Sequence, residues 1–314
     1  EMALDADPAR SLGRLHALWT LPGLDALNEE TLLLALGDTE AGVRENAIRM
    51  SEDLFLKQNN PGAGRVIDKL ISLKKDKSPK VRFQLLASLG FVTSPAAVGA
   101  RKELLFSNLE DNWMQIAALS AVPASSDNLL EEGLAGYRKG NPQYASLTER
   151  ISNMTGATGD IDRIKKLITR ALASSNAKQE WRGPVLKGLT QSLRNKDIDR
   201  QSLAPERELL LAAALTNQDA AIRRSAMDLL RVLNLPESGN TRKALEASLA
   251  GIQNPGLDAD KRAEAIRLLM LDSPGKYASA FKDLINPKQP AAVQSAALSA
   301  LAAIPDSTIS VFLI

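Results

Sequence analysis

The residues that could carry chemistry are few, and most of them stand alone. His16, in Leu15-His16-Ala17-Leu18-Trp19, is the only histidine in 314 residues. A general base or a metal ligand works within a constellation. With no second histidine and no cysteine to join it, His16 reads as packed or hydrogen-bonded within a helix. The absence of cysteine excludes disulfides, cysteine-ligated zinc, thiol catalysis and covalent haem attachment within these residues. Thr155-Gly-Ala-Thr-Gly-Asp160 has the glycines of a phosphate loop but neither the Gly-Lys-Ser/Thr ending nor the preceding strand that such a cradle uses. It is expected as a flexible turn, with Asp160 or Asp162 capping the helix that follows. Glu131 with Glu132, and Asp258 with Asp260, could be paired carboxylates for acid–base work. They fall in expected turns, and solvated charge is the reading adopted for them.

Two further groups point toward ligands. Trp19, Trp113 and Trp181 could stack bases or sugars, but Trp113 and Trp181 lie at or beside a recurring hydrophobic position, so buried or half-buried wedges are expected. The densest basic run is Lys69, Lys74, Lys75, Lys77, Lys80 and Arg82, which could meet phosphate on the edge of a helical array. Asp68 and Asp76 dilute it, and lysines between helices are usually solvated. No catalytic, cofactor-binding or metal-binding residue is assigned, and no cofactor is expected.

What does repeat is a spacing. A short pattern of hydrophobic, basic, two variable residues and a small one occurs at Gly13-Arg14, Val43-Arg44, Val81-Arg82, Met114-Gln115, Trp181-Arg182, Ile222-Arg223, Lys261-Arg262 and Val293-Gln294. The steps between copies are 30, 38, 33, 67, 41, 39 and 32 residues. The long step leaves room for a degenerate copy around 147–154. A period of this size is the mark of stacked helical repeats. In the copy that begins at Gly37, Asp38 and Thr39 are candidate caps, and Val43, Ala47, Ile48 and Leu54 form one apolar stripe.

Asp38, Asp76, Asp111 and Asp219 precede the basic or polar position by four to six residues. An aspartate there can cap the second helix of a pair and face the arginine of a neighbouring unit. The expected ladder is Asp38, Arg44, Asp76, Arg82, Asp219 and Arg223, and one exposed rung contributes roughly 0 to 1 kcal/mol. Ser78-Pro79, Ser94-Pro95, Ala204-Pro205, Ser273-Pro274 and Gln289-Pro290 look like caps followed by proline at the first helical position. Helices are predicted over 24–36, 65–73, 160–172, 206–215 and 241–252, and no segment alternates as a strand does. The fold class is all-α. Ala17, Ala47, Ala118, Ala226, Ala265 and Ala297 recur at one register, where small side chains allow close approach of helices.

Composition agrees. Apolar residues make up 44% and aromatic ones only 4%, which suits a Leu/Ala/Ile/Val core built by stacking. The balance of 39 basic and 37 acidic residues, net +2, puts no strong global field around the chain, so a nucleic-acid role needs a local basic face. No apolar run is long enough to span a membrane. The start at Glu1-Met2 and the apolar end Ser310-Val-Phe-Leu-Ile314 read as those of a piece of a longer polypeptide.

With Asp38 before Val43-Arg44, Asp76 before Val81-Arg82 and Asp219 before Ile222-Arg223, the chain resembles HEAT repeats. The resemblance implies a right-handed α-solenoid of about nine helix pairs, a single repeat domain over 1–314. Met114-Gln115 and Val293-Gln294 depart from the arginine, so the ladder is expected to break there. A narrower resemblance rests on four stretches: 9–21, 111–121, 155–160 and 181–189. They are similar to the HEAT region of large exported bacterial proteins of the membrane-bound-dehydrogenase type, which join a sorbosone-dehydrogenase-like β-propeller, a HEAT segment and a c-type cytochrome. That resemblance implies a periplasmic or cell-surface setting and places the chemistry in flanking domains. This segment would then be a non-catalytic platform for another protein or for other domains of the same polypeptide. Because some HEAT-like solenoids are DNA glycosylases, a nucleic-acid-binding protein or glycosylase stands as the alternative.

Overall fold

The computed structural model describes residues 7, 10–53, 63–120, 126–137, 140–173, 180–305 and 309. Among the described residues the fold is all-α, with 17 α-helices and no strand. None of these helices is long and apolar enough to cross a membrane. Leu54 of the expected apolar stripe lies outside the described residues, as do Glu1-Met2 and the stretch 310–314. The chain divides into two compact units, Glu1–Tyr137 and Arg138–Ile314.

The first unit holds α1 (Ser11–Thr20), α2 (Glu29–Ala35), α3 (Ala41–Ser51), α4 (Gly64–Ser72), α5 (Pro79–Ser88), α6 (Pro95–Ser107), α7 (Asn112–Leu119) and α8 (Ser126–Ala135). Alternate helices pack on one another: α1 on α3, α3 on α5 and α5 on α7 form one layer, while α2 on α4 and α4 on α6 form the other. The layers join through α2 with α3, α5 with α6, and α6 with α7. Val43, Ala47 and Ile48 of α3 and Val81, Leu85 and Leu86 of α5 fill the seam, each almost wholly buried. A pair of helices cannot hide its apolar stripe alone; stacking covers it from both sides.

The second unit holds α9 (Pro142–Thr158), α10 (Ile161–Leu172), α11 (Arg182–Leu193), α12 (Ala204–Thr216), α13 (Ala220–Leu233), α14 (Gly239–Gln253), α15 (Ala259–Leu269), α16 (Ala278–Asp283) and α17 (Ala291–Ala302). Again alternate helices stack, α9, α11, α13, α15 and α17 in one layer, with α10 on α11, α12 on α13, α14 on α15 and α16 on α17. Helix α9 occupies the long step in the repeat spacing, with Leu147 and Ile151 buried against its neighbours. It meets α11 closely through two glycines. A Cβ on Gly188 would fall well under 3.0 Å from the Glu149 carbonyl oxygen, and one on Gly156 would meet Ser192.

Local sequence explains most boundaries. Asn28, Ser94, Asp111, Asn141, Asp160, Asp219, Ser238 and Asp258 are N-caps whose side chains accept backbone N–H groups, which satisfies donors left over at a helix start. Of the expected Xaa-Pro caps, only Ser94 accepts such a bond. Ser78 makes none, Pro205 is the second residue of α12, Pro274 opens a 3-10 turn, and Pro290 is itself the N-cap of α17.

The helix predicted over 24–36 is much shorter. Pro22–Leu24 is a 3-10 turn, Asp25 takes a left-handed φ of 51°, and α2 begins only at Glu29. The leucine spacing was helical, but the Asn28 cap decides where the helix starts. Conversely, Thr155-Gly-Ala-Thr-Gly-Asp160 is not a flexible turn. Its first four residues are the last turn of α9, Gly159 ends that helix at φ 75°, and Asp160 caps α10.

Candidate functional site

The recurring arginine does two jobs at once. In α3, Arg44 Nη1 donates to the Asp38 and Thr39 carbonyls at 2.7 and 2.9 Å, closing the turn before its own helix. Its Nε and Nη2 donate to Asp76 Oδ2 and Oδ1 at 2.7 and 2.8 Å, gripping the turn before α5. Arg82 repeats the first job on Asp76 and Lys77, and Arg223 on Asn217 and Gln218. The planar guanidinium suits this because its five donors form a rigid fork. Arg14 reaches the Asp7 carbonyl and pairs bidentately with Asp38 at 2.7 and 2.9 Å.

The aspartates take two positions. Asp38 and Asp76 each accept the N–H two residues on, at 2.8 Å, so that each shapes its turn while receiving an arginine from the preceding helix of the layer. Burial disfavours the ionised Asp38 carboxyl, but the bonds from Arg14 and the Glu40 N–H outweigh it and hold its pKa below the ordinary value. Asp76 is lowered in the same way, burial opposing and the Arg44 and Ser78 bonds prevailing. The hydrogen bonds that Arg44 donates to Asp76 in turn raise the Arg44 pKa.

Asp219 behaves differently. It caps α13, accepting from the Ala221 N–H at 2.8 Å, and no arginine lies within salt-bridge distance of it among the described residues. The place that Asp38 and Asp76 fill in their turns is held there by Asn217, whose Oδ1 accepts the Asp219 N–H. Arg223 pairs instead with Glu264 on α15, at 2.8 and 2.9 Å, which raises the Arg223 pKa. Arg82 meets a neutral acceptor, Asn108 Oδ1, at 3.5 Å. The charged rungs are also more buried than the sequence reading assumed: side-chain exposures are 2% and 10% for Arg14–Asp38 and 15% and 6% for Arg44–Asp76.

Other arginines turn inward. Arg101 donates to the Ala118 carbonyl, Arg182 to Ala173, Arg207 to Asn234 and Leu235, and Arg262 to Ile252. Each places a cation at the C-terminal end of another helix, the end where the helix dipole is negative. Desolvation lowers the pKa of Arg101. Lys261, at the hydrophobic position of its copy, is exposed, and Ala265, expected where helices approach closely, is only half-buried.

The lone candidates resolve one by one. His16 is exposed on α1. Trp181 is buried, with Arg170 over its ring at 5.7 Å. Trp19 and Trp113 are not wedges: they are 48% and 67% exposed, because Leu18 and Met114, one residue away, take the inward position. Trp19 donates its indole N–H to Asn46 at 2.9 Å. The lysine run is dispersed over α4, a 3-10 turn and the start of α5, with Lys74 paired to Glu103 and Arg82 in its fork. Glu131 and Glu132 lie in α8, not in a turn. Asp258 caps α15 by accepting from the Asp260 and Lys261 N–H groups. Among the described residues, no three His, Asp or Glu side chains gather closely enough to hold a metal ion.

The surface features that spacing did not reveal lie in the second unit. A hollow of about 600 Å³ opens between α11 and α13, bordered by Lys187, Arg194, Asp228 and Arg231. A second, of about 540 Å³, shares Asp228 and Arg231 and extends over α15 to α17, bordered by Arg224 and Arg267. Arg224 and Arg231 are seven residues apart and therefore on one face of α13, the one signal in the sequence that could have pointed there. The side chains of Arg194, Arg224 and Arg267 make neither hydrogen bond nor salt bridge among the described residues. No protein-family model matches the chain, and no curated protein aligns with it as a relative.

Proposed function

We propose that this chain is a HEAT-like α-solenoid that works as a non-catalytic docking scaffold, for another protein or for other domains of its own polypeptide. The observation that carries the reading is the repeated fork. An arginine at one register closes its own turn and reaches a carboxylate or amide of a later repeat, while alternate helices stack in each unit. Such stacking turns a period in sequence into extended surface, and extended surface recognises partners without a reactive centre. The setting that goes with the narrower resemblance is an exported, periplasmic or cell-surface multidomain protein linked to sugar oxidation and electron transfer.

The competing reading, a nucleic-acid binder or glycosylase, draws on the cations around the second unit's hollows. Anisotropy titration of labelled duplex DNA at low and moderate salt separates the two. The scaffold reading expects no salt-sensitive binding. Tight binding that weakens steeply as salt rises, the signature of counterion release, would overturn it.

A further inference from the structure

We propose that the two adjoining hollows on α11, α13, α15 and α17 dock an acidic segment of a partner protein, one that interleaves carboxylates with apolar side chains. The inference rests on the scaffold reading and names the partner's chemistry.

Four observations carry it. The cations outnumber the acids: Lys187, Arg194, Arg224, Arg231 and Arg267 border the hollows, and among the described residues Asp228 is the one carboxylate lining them. The whole chain is nearly neutral, at net +2, so this surplus is local. Among the described residues three of the arginines, Arg194, Arg224 and Arg267, make no hydrogen bond or salt bridge, although elsewhere in the chain arginine is used to cap helices and tie turns. Lys187 is spoken for by Glu149 at 2.9 Å, whereas Arg231 meets Asp228 only at 3.5 Å with both side chains more than half exposed, so a partner's carboxylate can replace Asp228. Finally, the hollows are not purely polar. Met227, Met270 and Val232 line them, and methionine adapts to apolar side chains of varied shape.

That mixture favours a peptide over a nucleic acid. Single-stranded nucleic acid is held by aromatic platforms as well as charge, and among the described residues no aromatic side chain lines either hollow. An arginine fork matches a carboxylate bidentately, and leucine-like side chains between the carboxylates would rest on the methionines.

The test uses the full chain and a labelled short peptide in which glutamate pairs alternate with leucine, read by fluorescence anisotropy. Binding is expected, weakening with salt. The triple variant Arg224→Ser, Arg231→Ser, Arg267→Ser should bind roughly tenfold or more weakly. All three side chains are surface groups, so its circular dichroism spectrum should match the parent. Lys77→Ser with Lys80→Ser, in the first unit, should leave binding unchanged. No peptide binding, or equal binding by the triple variant, overturns the assignment while the scaffold reading stands on its own DNA test. A labelled single-stranded DNA that binds the same residues more tightly than the peptide overturns both.

Discussion

Replacing Gly188 with alanine sets two physical effects against each other, and the structure decides the sign. Gly188 sits inside α11, where alanine is the better helix former by about 1 kcal/mol; helix propensity alone therefore predicts stabilisation. The packing predicts the reverse. An added Cβ would lie 2.9 Å from the Asn153 backbone nitrogen and 2.9 Å from Ser152 Cβ, and closer still to the Glu149 carbonyl oxygen. Two of these atoms are backbone and cannot rotate aside, so α9 and α11 must separate. A gap of roughly 0.5–1 Å forfeits about a quarter to a half of each dispersion contact along the seam, and overpacking of this kind costs about 1–3 kcal/mol or more. The backbone contacts put Gly188 at the upper end of that range, about 3 kcal/mol, so a net destabilisation of about 2 kcal/mol is expected after the propensity gain of about 1.

Urea unfolding in a background where the exposed Trp19 and Trp113 are phenylalanine isolates the signal of buried Trp181, which belongs to the same unit. The order should be Gly188→Ala worst and Gly156→Ala milder, because at Gly156 the obstacle is the Ser192 side chain rather than backbone. Gly251→Ala should be neutral to stabilising, since its Cβ would make an ordinary 3.6 Å contact with Leu257. A Gly188→Ala midpoint equal to or above the parent, at unchanged slope, refutes the close crossing.

Three more predictions concern the rungs and the seam. Asp38→Ala removes the carboxylate that Arg14 grips with two hydrogen bonds, at a side chain 2% exposed, and should cost about 3 kcal/mol in a urea titration; Arg82→Ala, which gives up only neutral acceptors, the Asp76 and Lys77 carbonyls and Asn108, should cost about 1 kcal/mol. A cost for Asp38→Ala no larger than for Arg82→Ala would show that the rung is not energetically buried. Because Asp38 and Asp76 have lowered pKa values when folded, they hold fewer protons folded than unfolded near pH 4. The stability they add is complete above about pH 4 and drains as pH falls through their folded values. Unfolding midpoints measured from pH 6 to pH 3 should therefore fall more steeply for the parent than for Asp38→Asn with Asp76→Asn, and equal slopes would count against the pairing. Ala47→Leu and Ala226→Leu, both at sites with no exposure, should each cost about 1–3 kcal/mol, while the half-buried Ala17 should tolerate leucine better in the same thermal melts.

Helix class and the repeat period were legible because they follow from positions that recur: Val43, Val81 and Ile222 are buried where the pattern puts them. Boundaries were legible where a side chain caps, as at Asp111, Asp160 and Asp219. What the pattern missed has a common physical origin. An aspartate that caps its own helix and an aspartate that shapes the preceding turn differ by two positions, and a window of four to six residues admits both. Hence Asp219 was grouped with Asp38, although Asn217 holds that place and Glu264 supplies the charge. Trp113 failed for a related reason: one residue along a helix is a rotation of about 100°, enough to turn an expected wedge into a side chain 67% exposed.

The same reasoning separates what supports the array from what it presents. The fork at Arg14, Arg44, Arg82 and Arg223 recurs because each copy meets the same need, two turns that must hold their spacing. Recurrence is therefore a sign of structural use, and arginines so engaged have few donors left for a partner. Arg194, Arg224 and Arg267 stand outside the period; Arg194 ends α11 and Arg267 lies in the last turn of α15, but among the described residues none bonds a turn or the end of another helix. Holding several cations at a shared surface against the single counter-charge of Asp228 among the described residues costs mutual repulsion, which an incoming carboxylate relieves. In a chain whose repeated residues explain its fold, the charged side chains that repetition leaves over are the ones free to choose a partner.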